Sequence, residues 1–255
     1  MAALRKVMTM QNLRRLGGGA GILAGLAAAW HLLGVAVIIP SAHLSLSAQE
    51  SPHKYLVFAH RHQDMLSWIN LPGAVLAPLL GLILLLAVAD RLREAAPDWT
   101  QIGLALGVVG VIGFAVGAFI RQVGLGSLVQ FHVTNKTGAA IAFYAVNGTA
   151  NAFLDLGGVA LGLGVLVIGS IMLRMNGYYG MIGSFSIITG VAQVLSGLTP
   201  HRTVYLIASV LTIAWFAGTG AAVWMEAASG TARKGHASQP REDISMVMGR
   251  GAQVQ

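Results

Sequence analysis

The chain has 255 residues, 55% of them hydrophobic and only 10% charged, against about 25% charged in a typical soluble domain, so it belongs in lipid rather than in water. It contains no cysteine, which removes disulfides, thiolate metal sites and thiol nucleophiles and leaves His, Asp and Glu as the strong ligands. The formal charge of +7 comes from Lys and Arg that flank apolar runs, the placement of topology signals, and nucleic acid is discounted as a partner.

Arg5, Lys6, Arg14 and Arg15 precede an apolar run that continues to Pro40, longer than the roughly 7–15 residues of a signal-peptide core. We therefore read it as a retained first span. Crossing the hydrocarbon takes about 20 apolar residues, and six stretches qualify: 16–40, 66–89, 102–120, 147–173, 181–198 and 204–225. The expected fold is all-α, an integral membrane bundle of six transmembrane helices over residues 1–228, with 229–255 as a flexible cytoplasmic tail rich in Gly, Ser and charge. The 33 glycines fit that class because they let helix backbones approach closely.

Pro72 and Pro78 fall inside the second span and predict a kink, tolerable if neighbouring groups bond the freed carbonyls. Residues 127–146 admit two readings, a loop with a half-embedded helix or the first turns of a long fourth helix. With the N-terminus inside, the inner segments hold eleven Lys and Arg (5, 6, 14, 15, 91, 93, 174, 233, 234, 241 and 250) and the outer ones five (54, 61, 121, 136 and 202). That bias predicts a multi-pass protein of the cell inner membrane with both termini cytoplasmic. No internal repeat is visible, so an inverted-repeat transporter is not supported.

Under this topology His43, His53, His60, His62, His132 and His201 gather on the outer side, with His31 in the outer half of the first span. Asn147, Asn151 and Asp155 recur every fourth residue and form one stripe, which in lipid is expected to face the bundle; Gln193 falls at a comparable depth. The stripe serves either for interhelical hydrogen bonds, worth about 0.6 kcal/mol each on average, or, for Asp155, as part of a site, since a carboxyl in lipid is costly. In a continuous helix His60 and Asp64 would share a face, so the carboxylate could orient the imidazole. Interfacial anchoring explains the same cluster. The run His60, Arg61, His62, Gln63, Asp64 lacks the final His of a binuclear metallo-hydrolase motif, where Met65 stands.

From Trp30 onward the chain resembles the membrane-bound styrene oxide isomerases, small helical bundles that bind haem b. The similarity lies in HLLGVAVIIP at 31–40, SP at 51–52, AH at 59–60 and APLLGL at 77–82. It extends loosely to FHVTNKTG at 131–138 and does not reach the fifth and sixth spans. The resemblance implies haem b with His60 as the iron ligand and His31 nearby. It implies a small hydrophobic epoxide as substrate, opened by a Lewis-acid iron to a carbonyl compound through a hydride shift. The family's substrate-positioning Asn falls at Leu66 here, with Asn70 one turn later, so Asn70 is one candidate catalytic side chain; Asp155, on the cost of a carboxyl in lipid, is the other. The family's Tyr near the end of the third span falls near Phe119. Phe58 and Trp68 are candidates for lining the cavity.

Two other classes remain open. One is a bis-histidine electron-transfer cytochrome using His31 with His60 or His62. The other is a non-catalytic accessory or assembly subunit whose Gly-rich faces pack against partner subunits. A homo-oligomer is compatible with the enzymatic reading, and a stable coloured one would count against the accessory subunit.

Overall fold

In hydrocarbon no water is present to bond a free backbone N–H or C=O, so an apolar run is driven to satisfy its own backbone as a helix. The computed structural model of the chain describes residues 2–45, 47–175, 177–199 and 201–237, with side chains described between 12 and 229. Helix α1 covers Ala2–Leu33, continues through a π-helical stretch at Gly34–Ile38, and ends in the turn Ile39–Ser41. Helices α2 (Pro52–Arg61) and α3 (Gln63–Asn70) follow, and α3 passes through a second π-helical stretch, Leu71–Leu76, into α4 (Ala77–Leu92). The remaining helices are α5 (Pro97–Thr134), α6 (Lys136–Leu173), α7 (Tyr178–Leu198) and α8 (Arg202–Ala237).

Six helical stretches are long and apolar enough to span a membrane: Asn12–Ser41, Gln63–Leu92, Pro97–Thr134, Lys136–Leu173, Tyr178–Leu198 and Arg202–Ser229. No strand occurs among the described residues. The expected all-α six-span bundle is thus the observed fold. At its C-terminal end α8 carries helix past Ser229 to Ala237, and the rest of the expected tail lies outside the described residues. Each span packs on the next and α8 returns to α1, closing a ring, while α4 leans inward to touch α6 and α8 as well.

One core lies inside this ring. Leu84, Leu85 and Ala87 of α4, Ile168 and Met172 of α6 and Trp215 of α8 are all fully buried there. The Trp215 indole N–H donates to Ser186 Oγ at 2.7 Å, so the largest buried ring leaves no unbonded donor. Close helix approach depends on glycine. A Cβ on Gly110 would stand 2.5 Å from the backbone nitrogen of Leu161, which nothing but glycine accommodates without moving α5 from α6.

At the end of the ring where α1 begins, charges tie four helices together. Arg14 pairs with Asp90 at 3.3 Å, and Arg91 donates to Glu226 at 2.8 Å. The Tyr179 hydroxyl donates to the other oxygen of Glu226, and the Arg91 guanidinium lies 5.7 Å from the Tyr179 ring centre. Such groups mark a membrane edge. About 20 residues cross the hydrocarbon, and that count from Arg14 reaches Gly34, which faces Ile69; nearby, Asn70 bonds Gln122 at 3.1 Å. The second edge therefore lies at the level of Gly34, Asn70 and Gln122.

Helices α5 and α6 outgrow this distance. Each has 38 residues, about 57 Å at 1.5 Å per residue, against about 30 Å of hydrocarbon. Residues 127–146, open between two readings in the sequence, are the far end of α5 and the start of α6, joined only through Asn135. That residue leaves helical geometry at φ −144° and ψ 91°, and its side-chain oxygen accepts the Gly138 N–H at 2.8 Å to cap α6. The projecting tip builds a second core with α2: Leu56, Phe58 and Ala59 pack with Leu125, Leu128, Val129, Ala139 and Phe143. The result is a helical cap at the far end of α5 and α6, which the length argument sets beyond about 30 Å of hydrocarbon.

Gly110→Ala is expected to destabilise the protein by about 1–3 kcal/mol in reversible unfolding in detergent, because the methyl overpacks the α5–α6 contact. Gly148→Ala, where an added Cβ meets nothing within 4 Å, is expected to be neutral or to stabilise by up to about 1 kcal/mol through helix propensity. Equal effects at the two positions would contradict this packing.

Candidate functional site

The predicted break at Pro72 organises the site. Proline has no N–H, so the carbonyl of Trp68 loses the partner a helix would give it. The indole N–H of Trp30 on α1 donates to that carbonyl at 3.0 Å. Next to it, Nδ1–H of His31 points to the carbonyl of Ile69 at 3.4 Å, which leaves Nε2 as its lone-pair nitrogen. The helix absorbs the proline by widening into the π-helical stretch, and Ala77 N–H bonds Pro72 O across it. A matching stretch precedes Pro40 on α1, where the side chain of Gln49 reaches the Val35 carbonyl at 3.4 Å. The sequence predicts a kink here; what the structure shows is this π-helical widening, with the Trp68 carbonyl bonded by a neighbouring side chain as expected.

Just beyond this break, α2, α3 and α5 enclose a narrow, half-open cleft of about 40 Å³, room for little more than water and well below the about 300–1,000 Å³ usual for ligand pockets, so a larger guest requires the walls to part. Its polar lining comes from Tyr55, Gln63, Ser67, Asn70 and Gln122, and the rest is apolar. Asn70 Nδ2 donates to Gln122 Oε1, which leaves Asn70 Oδ1 as a free acceptor and Gln122 Nε2 as a free donor for a guest. Burial pushes the Tyr55 phenol above its ordinary pKa, and the charge of Arg121 opposes that shift. Tyr55 therefore stays a neutral donor across physiological pH.

Arg121, beside Gln122 on α5, donates through Nη2 to Asn151 on α6. Its Nε is buried and has no hydrogen-bond partner among the described residues. Asp155 is within electrostatic reach of Arg121, but no ion pair joins them. The expected inward stripe is corrected here: Asn147 is half-buried and Asn151 and Asp155 are exposed. The reason is that α7 ends at this level, with Gly197 set against the Asp155 carbonyl, so α6 stands uncovered above it. Gln193 does not join the stripe; it bonds Thr212 on α8.

His60 and Asp64 do not share a helix face. The chain leaves helical geometry at His62, φ −127° and ψ 34°, which separates α2 from α3, and His62 stacks on Phe58 with ring centres 4.5 Å apart. His60 is exposed at the last turn of α2 and does not line the cleft, whereas His31 is half-buried at the break. Phe58 is buried in the cap core and the Trp68 ring is 74% exposed, so neither lines the cleft as expected. No group of three or more His, Asp or Glu side chains converges on a metal position among the described residues. Of the candidates named from the sequence, the cleft holds Asn70 alone.

Sequence reasoning missed Tyr55, Gln63, Ser67, Gln122 and Arg121. The readable signal was the polar pair Arg121-Gln122 inside a helix that does not stop there.

Among known protein families, characterised proteins and solved structures, none matches this chain. Fold and site together define a multi-pass membrane protein with a polar cleft at one edge of its spans.

Trp30→Phe is expected to cost about 0.5–1.5 kcal/mol in unfolding measurements, the value of one hydrogen bond. In a Pro72→Ala background the new N–H can bond Trp68 O, so the same change is expected to cost measurably less. Identical costs in both backgrounds would show that the indole does not serve the freed carbonyl.

Proposed function

We propose that this protein takes a small, largely apolar molecule carrying one hydrogen-bonding oxygen from the bilayer into the cleft between α2, α3 and α5. The observation that carries the reading is the convergence of Tyr55, Asn70 and Gln122 on one narrow cleft, which must widen to admit the guest, beside a π-helical break of the kind often found at functional sites. The Tyr55 hydroxyl and the free donor of Gln122 would hold the oxygen, and the apolar lining would exclude water from it. An epoxide, the substrate class implied by the resemblance, has this chemistry. The reading places the protein in the cell inner membrane with both termini cytoplasmic, on the eleven-to-five distribution of Lys and Arg.

The cleft does not fit a haem b held by His60. His60 points away from the cleft, and the cleft that does exist is lined by other residues. A haem held by His60 would lie on the surface, against lipid or a second copy. The exposed imidazole of His60 at the end of α2 favours that arrangement as a second reading, a haem-dependent epoxide isomerase completed by another molecule.

Gly126 lines the cleft, and an added Cβ there meets nothing within 4 Å. Gly126→Leu therefore starts from open space at its Cβ and is expected to occlude the cleft. A small aryl diazirine, photolysed in membranes, is expected to label peptides containing Tyr55, Asn70 or Gln122 in the wild type and at least about tenfold less in Gly126→Leu, a loss of about 1.4 kcal/mol in occupancy. Labelling that ignores the substitution would overturn the cleft reading. For the second reading, haem-supplemented protein should show a Soret band that His60→Ala abolishes; no band, or an unchanged one, would remove it.

A further inference from the structure

The cap is fastened at its far end by two histidines. Nδ1 of His53, on the first turn of α2, lies 3.1 Å from Nε2 of His132, near the end of α5, with ring centres 5.2 Å apart. His53 is exposed and His132 is 8% exposed. A hydrogen bond between two imidazole nitrogens needs a proton on one and a lone pair on the other, so the contact exists only while at least one ring is neutral. The surroundings offer no compensation for a second charge. Lys54, His60 and Arg61 share α2 with His53, Arg121 lies on α5, and Lys136 begins α6; His60 and Lys136 both act electrostatically on His132. Glu50, the carboxylate nearest in the chain, is engaged by Arg202 at 3.8 Å.

Resting on the cleft reading above, we propose that the His53–His132 pair is an acid-released latch that controls access to the cleft. Helix α2 supplies Tyr55 and Ala59 to one wall of the cleft, and α5 supplies Gln122, Leu125 and Val129 to the facing wall. The latch joins these two walls beyond the cleft, and the non-helical residue His62 gives α2 a joint at its other end. Closed, the pair carries at most one positive charge; released, it can carry two. Release takes up a proton, so it is favoured as pH falls and suppressed as pH rises. Leu56 and Phe58 remain buried beneath α2 and oppose release. The latch therefore raises the population of a loosened α2 instead of expelling the helix.

Hydrogen–deuterium exchange of the full-length protein in nanodiscs, corrected for intrinsic exchange rates, reads that population directly. Between about pH 6.5 and 5 the protection of amides in α2 is expected to fall up to about tenfold per pH unit, the slope of one linked proton. Protection within the membrane-spanning part of α5 and α6 should not change, and that serves as the folding control. His53→Gln and His132→Gln keep a hydrogen-bonding side chain but cannot take the second charge, and each is expected to flatten the profile. A wild-type profile that is already flat, or a slope that survives both substitutions, would overturn the latch. The diazirine experiment at neutral pH is separate, so loss of the cleft reading and loss of the latch are distinguishable.

Discussion

A backbone carbonyl in hydrocarbon must find a donor inside the protein, and the structure depends on how that demand is met where the helix fails. Pro72 removes one N–H from the second span, and the chain answers with a widened turn and with an indole from another helix. Because Trp30 and His31 both reach the Trp68–Ile69 carbonyls, α1 and the broken span are held in one register. That register sets Asn70 opposite Gln122. The site is thus a consequence of a local defect whose cost is offset by neighbouring side chains.

The second constraint is length. A bilayer accounts for the length of α7 and of α3 and α4 joined, and α1 and α8 overrun it at the edge marked by Arg14 and Glu226, whereas at the other edge α5 and α6 continue well past it as a hairpin. On its own such a hairpin would expose apolar residues on every side; α2 folds back to cover part of it, and the buried Leu56 and Phe58 are the contribution of that short helix. Cap, cleft and membrane edge therefore coincide. Polar side chains can be held near apolar ones there without placing a charge in mid-membrane, which explains why Arg121 is tolerated on a spanning helix.

The six spans and the proline break were legible because they rest on local quantities, the hydropathy of about 20 consecutive residues and the missing N–H of proline. The cap was not. Beyond the bilayer no lipid imposes continuous hydrophobicity, so Arg121, Gln130 and Asn135 interrupt the apolar signal while the helix itself runs on to Thr134. Its core joins residues far apart in the chain, Leu56 with Leu128 and Phe143, which no local pattern announces. The stripe of Asn147, Asn151 and Asp155 shows the same limit: a spacing of four identifies a face, but whether a neighbour covers that face depends on where α7 stops. Asn70 was found from the resemblance and sits in the cleft, whereas His60, found the same way, sits outside it.

The central claim is that the tip of the α5–α6 hairpin stands in water beyond the spans. The cysteine-free chain makes this directly measurable. Single substitutions Val133→Cys and Ile141→Cys, at positions 66% and 68% exposed, are to be reacted with a water-soluble thiol reagent in nanodiscs, beside Val109→Cys and Leu163→Cys on the lipid-facing spans, 49% and 40% exposed. The account predicts rapid labelling at 133 and 141 and protection at 109 and 163. Protection at all four positions would place the hairpin tip in lipid and contradict it.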